Sequence, residues 1–349
     1  MQAQEVVTGG RVFVYDIIQA LGSGNAVVIY GAGPSCQNGL PSWPALTERC
    51  VEKTETLLGR ELPAGRAASG AGRFAEAFGM LSRTLDDAGQ DGRAVIDGWV
   101  REAIADPGQM GRLYGLLARL PVRLYLTTNY DEIFERHLRD AGFAPSVHTY
   151  TRESLEEIDT TAVDKSVVHV HGLVSSPMPL VLTDGDYAAV RQAKRFEALR
   201  IFLQSHFAIS PILMVGFSMM DPNVKGIARQ VALNIRRRQQ PIVLLADASR
   251  DEALAFARDF NVRVVPSRSA NDFAELEASL TLALKWLDAP QTGRSVDSDD
   301  MRLSQALYVM RAVESVGGTI ALQATKALVV AALRNGETLE VRELERRLR

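Results

Sequence analysis

The strongest constraint on the fold is an alternation of short aliphatic runs with stretches of helical spacing. The strand candidates are AVVIY (26–30), VRLYLTT (122–128), SVVHVHG (166–172), PLVLT (179–183), PILMVGF (211–217), PIVLLAD (241–247) and NVRVVPS (261–267). Several are apolar at every position rather than at every second one, so both faces need cover, as in a parallel sheet held between helical layers. The segments SWPALTERCVEKTETLL (42–58), YDEIFERHLRDAG (130–142), DGDYAAVRQAKRFEALRIFLQSHF (184–207) and DPNVKGIARQVALNIRRRQ (221–239) supply those layers. The pattern predicts an α/β, Rossmann-like, doubly wound parallel sheet.

Two regions break the rhythm. Residues 59–118, rich in Ala, Gly, Arg and Asp at helical spacing, read as a small helical subdomain inserted in a sheet domain that spans 1–287. Residues 288–300, DAPQTGRSVDSDD, lack periodicity and read as a linker. Residues 301–349 then read as a helical C-terminal region whose apolar faces suit docking or oligomer contacts.

Composition excludes several classes. A net charge of −3 provides no electrostatic footprint for nucleic acid, and Arg236-Arg237-Arg238 reads as the solvated end of a helix. The start, MQAQEVVTGGRVFVYDII, has neither a basic region nor a sustained apolar core, and no stretch reaches the length of a membrane span. A cytoplasmic location without membrane contact is the expectation. Cys36 and Cys50 form no CxxC pair, so neither a cysteine zinc site nor a disulfide framework is expected.

The chemistry concentrates where strands end. In YGAGPSCQNGLPSWP (30–44), Gly31 and Gly33 follow a strand, with Ser35 close behind. Glycines there permit positive φ and let backbone N–H groups approach a phosphate. Ser42 is a candidate N-cap with Pro44 in the first helical turn. The segment is neither a Walker A loop nor a full GxGxxG, and a turn without ligand stays open. In TTNYDEIFERHL (127–138), Asn129 lies at a strand's C-terminal end, the edge where open parallel sheets bind ligands. Asp131 opens the next helix, and capping or ligand binding are both open for it. In VVHVHG (167–172), His169 and His171 share a strand face on this reading. A His-x-His pair invites a metal, but no further ligands complete a binuclear site. His171, beside Gly172, is placed to take a proton from a sugar hydroxyl. In MVGFSMMDPNVKG (214–226), Gly216 and Ser218 follow a strand within reach of a ribose or phosphate, and Asp221-Pro222 reads as a cap.

In this order the four segments resemble the sirtuin superfamily, over roughly residues 20–270. GAGPSCQNGLPSW is similar to the family's GAG-x-S…G-[IL]-P loop, TTNYD to its TQN-x-D, HVHG to its catalytic HG and VGFSMMD to its GTS segment. The resemblance implies NAD as substrate, with Asn129 and His171 catalytic. It further implies that Gly31, Ala32, Gly33, Ser35, Pro41, Asp131, Gly216, Ser218 and Asp247 hold the dinucleotide, the amides of Ala32, Gly33 and Ser35 taking its diphosphate. Departures are equally plain. Where sirtuin deacylases carry Asp-Phe-Arg, Ser42-Trp43 follows Pro41, and the Gln of TQN is Thr128. Only seven residues separate Gly172 from Leu180, which leaves no room for the deacylases' four-cysteine zinc ribbon. This zinc-free pattern is similar to a bacterial branch whose members hydrolyse NAD in antiphage defence, commonly as oligomers with a sensor or partner. The expected function is therefore NAD+ glycohydrolysis to nicotinamide and ADP-ribose, in a homo-oligomer with a possible partner such as a defence-system ATPase. The alternatives are an NAD- or ADP-ribose-sensing module that regulates a partner, and a protein deacylase or ADP-ribosyltransferase.

Overall fold

The computed structural model describes residues 17, 20–21, 25–105, 111–159, 164–216, 222–234, 240–246, 250–267 and 273–288. They fall in two compact units: Ala20–Glu277 lie in the one that holds the sheet, and Ile17 with Ala278–Asp288 in the other. The expected linker beyond Asp288 and the helical tail lie outside the described residues, as do Ser218, Asp221, Asp247 and the Arg236–Arg238 cluster.

Strand β1 (Val27–Tyr30) leads into a short helix α1 (Ala32–Gln37) and then α2 (Trp43–Leu58). Helices α3 (Pro63–Gly70), α4 (Phe74–Asp87), α5 (Gly92–Ile104) and α6 (Arg112–Arg119) occupy the region expected to be helical. The chain re-enters the sheet through β2 (Leu124–Thr127), α7 (Ile133–Asp140), β3 (Ser146–Thr149), α8 (Arg152–Glu156) and β4 (Ser166–His169). Helices α9 (Asp184–Gln192) and α10 (Glu197–Ile209) precede β5 (Ile212–Val215), α11 (Pro222–Asn234), β6 (Ile242–Ala246), α12 (Arg250–Phe260), β7 (Arg263–Ser267) and α13 (Ala274–Asp288).

The strands form one parallel sheet in the order β3-β4-β2-β1-β5-β6-β7. The chain begins at the central β1, fills one side, and then crosses over to build the other. A crevice therefore opens beyond the carboxyl end of β1, between connections that leave in opposite directions. Strands β1, β2, β4 and β5 are buried along their whole length, as their continuous apolar runs require. Val27, Ile29, Leu126 and Met214 pack on one face with Leu203 and Phe207 of α10. On the other, Phe134 of α7 meets Tyr30 and Tyr125 at centroid distances of 5.0 and 4.7 Å.

Ser42 caps α2 as expected, accepting from the Ala45 amide, and Gly59 ends that helix in the left-handed region. Four expectations are corrected. PLVLT forms no strand, because side chains rather than a neighbouring strand take its carbonyls. SVHT does form one, at the sheet edge, where partial exposure removes the apolar signature. The 184–207 helix is broken at Ala193, whose extended backbone (ψ 142) separates α9 from a 3-10 turn (Lys194–Phe196) and α10. Ala32–Ser35 of GAGPS are themselves helical within α1, and Gly31, its N-cap, is extended at φ −115, so Gly31 and Gly33 are not there for positive φ. Among the described residues, no helix is long and apolar enough to cross a membrane.

Candidate active site

The first connection is compressed against β5. The Gly31 amide donates to the Val215 carbonyl and the Gly33 amide to that of Gly216, each at 3.1 Å. A Cβ on Gly33 would stand 2.8 Å from the Phe273 ring and 3.0 Å from the Gly216 Cα. A Cβ on Gly216, itself at φ +58, would stand 2.2 Å from the Pro34 ring. Close approach of two backbones, rather than turn conformation, is what needs glycine at Gly33. It also commits the Gly33 amide, and the Ser35 amide, at the fourth position of α1, belongs to the helix's own ladder, so the expectation of three ligand-facing amides reduces to Ala32.

Ser35 and Asn129 meet across the ends of β1 and β2. The Asn129 amide nitrogen donates to the Gly31 carbonyl at 2.9 Å and to Ser35 Oγ at 2.9 Å, with Tyr114 Oη at 3.2 Å. Because a carbonyl only accepts, the Gly31 contact settles which end of the amide is nitrogen. Ser35 Oγ donates to Asp131 Oδ2 at 2.9 Å, so at 2.7 Å it must accept from the Tyr114 hydroxyl. Asp131 Oδ1 accepts from the Ile133 amide at 3.1 Å and so starts α7. Burial pushes the Asp131 carboxyl up against these two hydrogen bonds, and pushes the Tyr114 hydroxyl well above its usual range.

Directly behind lies a second buried group. His169, wholly buried, directs Nδ1 at the Asn129 carbonyl (2.9 Å) and Nε2 at Glu135 Oε1 (2.6 Å). Both partners are oxygens, so a ring that donates from both nitrogens, an imidazolium, satisfies both contacts. Burial opposes that charge, but the facing Glu135 carboxylate more than reverses the effect, and the His169 pKa is raised. The His-x-His metal option closes here, because His169 is already engaged. Strand β4 also ends at His169, the Gly172 amide returning to the His169 carbonyl at 3.2 Å, so His171 lies in a turn and not on a shared strand face. Among the described residues, no group of three or more His, Cys, Asp or Glu is placed to hold a metal ion.

A cavity of about 40 Å³ adjoins the network. Of the residues expected from the sequence, Ala32, Ser35, Pro41, Asn129 and Asp131 line it, and Trp43, Tyr130 and Ile104 share its wall. That volume admits a water or two, so a dinucleotide would extend beyond its mouth. His171 is not among the lining residues. It is 1% exposed, with its ring edge-on to Tyr187 at 5.2 Å. Sequence reasoning missed Tyr114 and Glu135. A carboxylate set among Ile133, Phe134 and Leu138 on the buried face of α7 was the available signal for Glu135; Tyr114 sits in an ordinary amphipathic helix and carried none.

A parallel α/β sheet with polar side chains gathered at its switch-point edge defines a Rossmann-like fold. Residues 123–265 match the SIR2-like domain family. Over 256 residues (73% of this chain and 50% of the relative) the sequence is 25% identical to the NAD(+) hydrolase ThsA of Bacillus cereus (strain MSX-D12). It is 24% identical over 233 residues (66% and 45%) to the protein of that name from Enterococcus faecium, and 23% identical over 226 residues (65% and 42%) to that from Cytobacillus dafuensis. Residues 123–265 are thus similar to SIR2-like domains, and the chain spans half or less of the length of these curated relatives.

Proposed function

We propose that the chain is an NAD+ glycohydrolase that releases nicotinamide and ADP-ribose. The observation that carries this reading is the Ser35–Asn129–Asp131–Tyr114 network beside a cavity at the switch-point edge. The names of the relatives point the same way.

The nicotinamide of NAD+ is cationic, so when the N-glycosidic bond breaks its electron pair neutralises the departing ring and no general acid is needed. The ribose C1′ passes through an oxocarbenium-like state, and water adds there and loses a proton. Asn129 has its side-chain amide protons engaged, which leaves Oδ1 to accept from that water or from a ribose hydroxyl. Asp131 holds the ribose or amide side of the pocket, and His171 takes the proton. The Ala32 amide at the start of α1 faces the diphosphate with the Gly31 backbone beside it, while Gly33 and Gly216 keep α1 close on β5. Ser218 and Asp247 complete the proposed set. Positioning and exclusion of water supply much of the rate. NAD depletion in antiphage defence, by a cytoplasmic homo-oligomer with a sensor or ATPase partner, extends the same reading.

The test is NAD loss and nicotinamide release by purified protein across protein concentrations, beside His171→Ala. Turnover that vanishes in the variant supports the proposal, and a steep rise with concentration supports activation by assembly. Tight NAD binding without turnover at any concentration supports the sensing module instead.

A further inference from the structure

The segment after His171 has no strand partner, yet its carbonyls are occupied. The Arg101 guanidinium on α5 donates to the carbonyls of Val174, Ser176 (2.9 Å) and Met178 (3.1 Å). Arg93, two turns earlier on the same helix, donates to the Leu180 carbonyl and to the Asp186 carboxylate, and pairs through Nε with Asp97 at 2.9 Å. Positions 93, 97 and 101 are spaced four apart, so they share one helix face. Asp186 in turn closes the capping box that starts α9. From the sheet side, the Tyr150 hydroxyl donates to the Pro179 carbonyl and the Tyr130 hydroxyl to that of Val181, at 2.8 and 2.7 Å. The Val181 amide then donates to the His171 carbonyl at 2.8 Å. A loop whose polar backbone would otherwise be orphaned is closed by side chains from both flanks.

We infer that Arg101 and Arg93 are positioning residues, through which the helical region clamps the loop 173–181 and, by way of Val181, fixes His171. A guanidinium suits this task because it presents five donors in a rigid plane, enough to gather several carbonyls at once. A lysine ammonium is a point donor and cannot span them. The helical region is in this way mechanically coupled to the turn that carries the proposed base, while Arg101 stays clear of the reacting atoms. The catalytic consequence rests on the NAD reading above, whereas the placement of the loop does not.

The experiment compares Arg101→Lys and Arg101→Met with the parent by hydrogen exchange, by the imidazole NMR signal of His171 (assigned with His171→Gln), and by NAD kinetics. The expected result is faster exchange confined to 173–181 and a displaced or broadened His171 signal in both variants, with the His148 signal unmoved. Nicotinamide release should fall about tenfold in kcat while KM stays within about threefold, the split expected of lost orientation rather than lost binding. Parental exchange at 173–181 and a parental His171 signal in Arg101→Met would overturn the clamp. Full restoration by lysine would overturn the argument for a guanidinium. Should the parent itself turn over no NAD, the proposed function fails while exchange and the His171 signal still decide the clamp.

Discussion

Each edge of the sheet buries polar groups, but to different ends. At the amino edge, Lys165 donates its ammonium to the carbonyls of Leu120 (2.6 Å) and Val122 (2.9 Å) and lies 4.5 Å from the Phe143 ring centroid. One cation closes the turn into β2 against β4, its partners being backbone carbonyls, the Tyr125 hydroxyl (3.3 Å) and the Phe143 ring face. At the carboxyl edge, Ser35, Asn129, Asp131 and Tyr114 bond one another beside a cavity, with Glu135 and His169 behind them. Buried polarity alone therefore does not mark a site. What separates the edges is that one arrangement is closed on the backbone, whereas the other leaves polar atoms facing space at the point where the strand order reverses.

That contrast can be broken by substitution. The largest effect is expected from Glu135→Ala, which strands a buried imidazole and should cost about 3–5 kcal/mol in urea unfolding. A loss no greater than that of Lys165→Met would show that the carboxyl edge is no more strongly coupled than the amino one. His171→Ala removes a buried ring packed on Tyr187 and so lowers the unfolding midpoint. Assayed where it stays folded, it should lower nicotinamide release by at least about a hundredfold, roughly 2.7 kcal/mol of barrier; an unchanged rate removes His171 from the mechanism. Gly216→Ala combines φ +58 with a Cβ inside the Pro34 ring's space, and should cost about 1–3 kcal/mol in stability. Native-like stability there would mean that α1 and β5 can separate freely.

The smallest effect sharpens the comparison through pH. Burial lowers the Lys165 ammonium to about 8. Between that value and the ordinary 10.5 of an unfolded lysine, the unfolded chain binds more protons than the folded one, so stability contributed by this group rises with pH. Lys165→Met should change stability by about 1 kcal/mol near neutrality, lost hydrogen bonds offsetting relief from burying a charge. The parent should then gain on the variant as pH climbs from 8 toward 10 in parallel thermal melts. A constant difference across that range would mean that Lys165 keeps its proton, held by the carbonyls.

Much of the scaffold was legible because it is local. AVVIY, PILMVGF and PIVLLAD announce buried parallel strands by uninterrupted apolar residues, and Ser42 with Pro44 announces the start of α2. SVHT escaped because an edge strand is only half-buried, and PLVLT misled because an aliphatic run reports burial without saying which donors meet its carbonyls. In the candidate site, the strand-end placement of Asn129 and Asp131 followed from the sequence, and so did the likeness to the sirtuins, whereas His171, read on a face of β4, lies in the turn beyond it.

Sequence by itself determined the alternation of uninterrupted apolar runs with stretches of helical period, and hence the layered parallel sheet whose carboxyl edge collects the candidate site residues. Only the tertiary structure decided that Gly33 serves close packing, that Tyr114 completes the Asn129 network and that His169 belongs with Glu135 rather than with a metal. It alone also brought Arg93 and Arg101 onto the loop after His171. Each of these joins residues far apart in the chain, where the direction of a hydrogen bond or the space for a Cβ depends on elements brought together by folding.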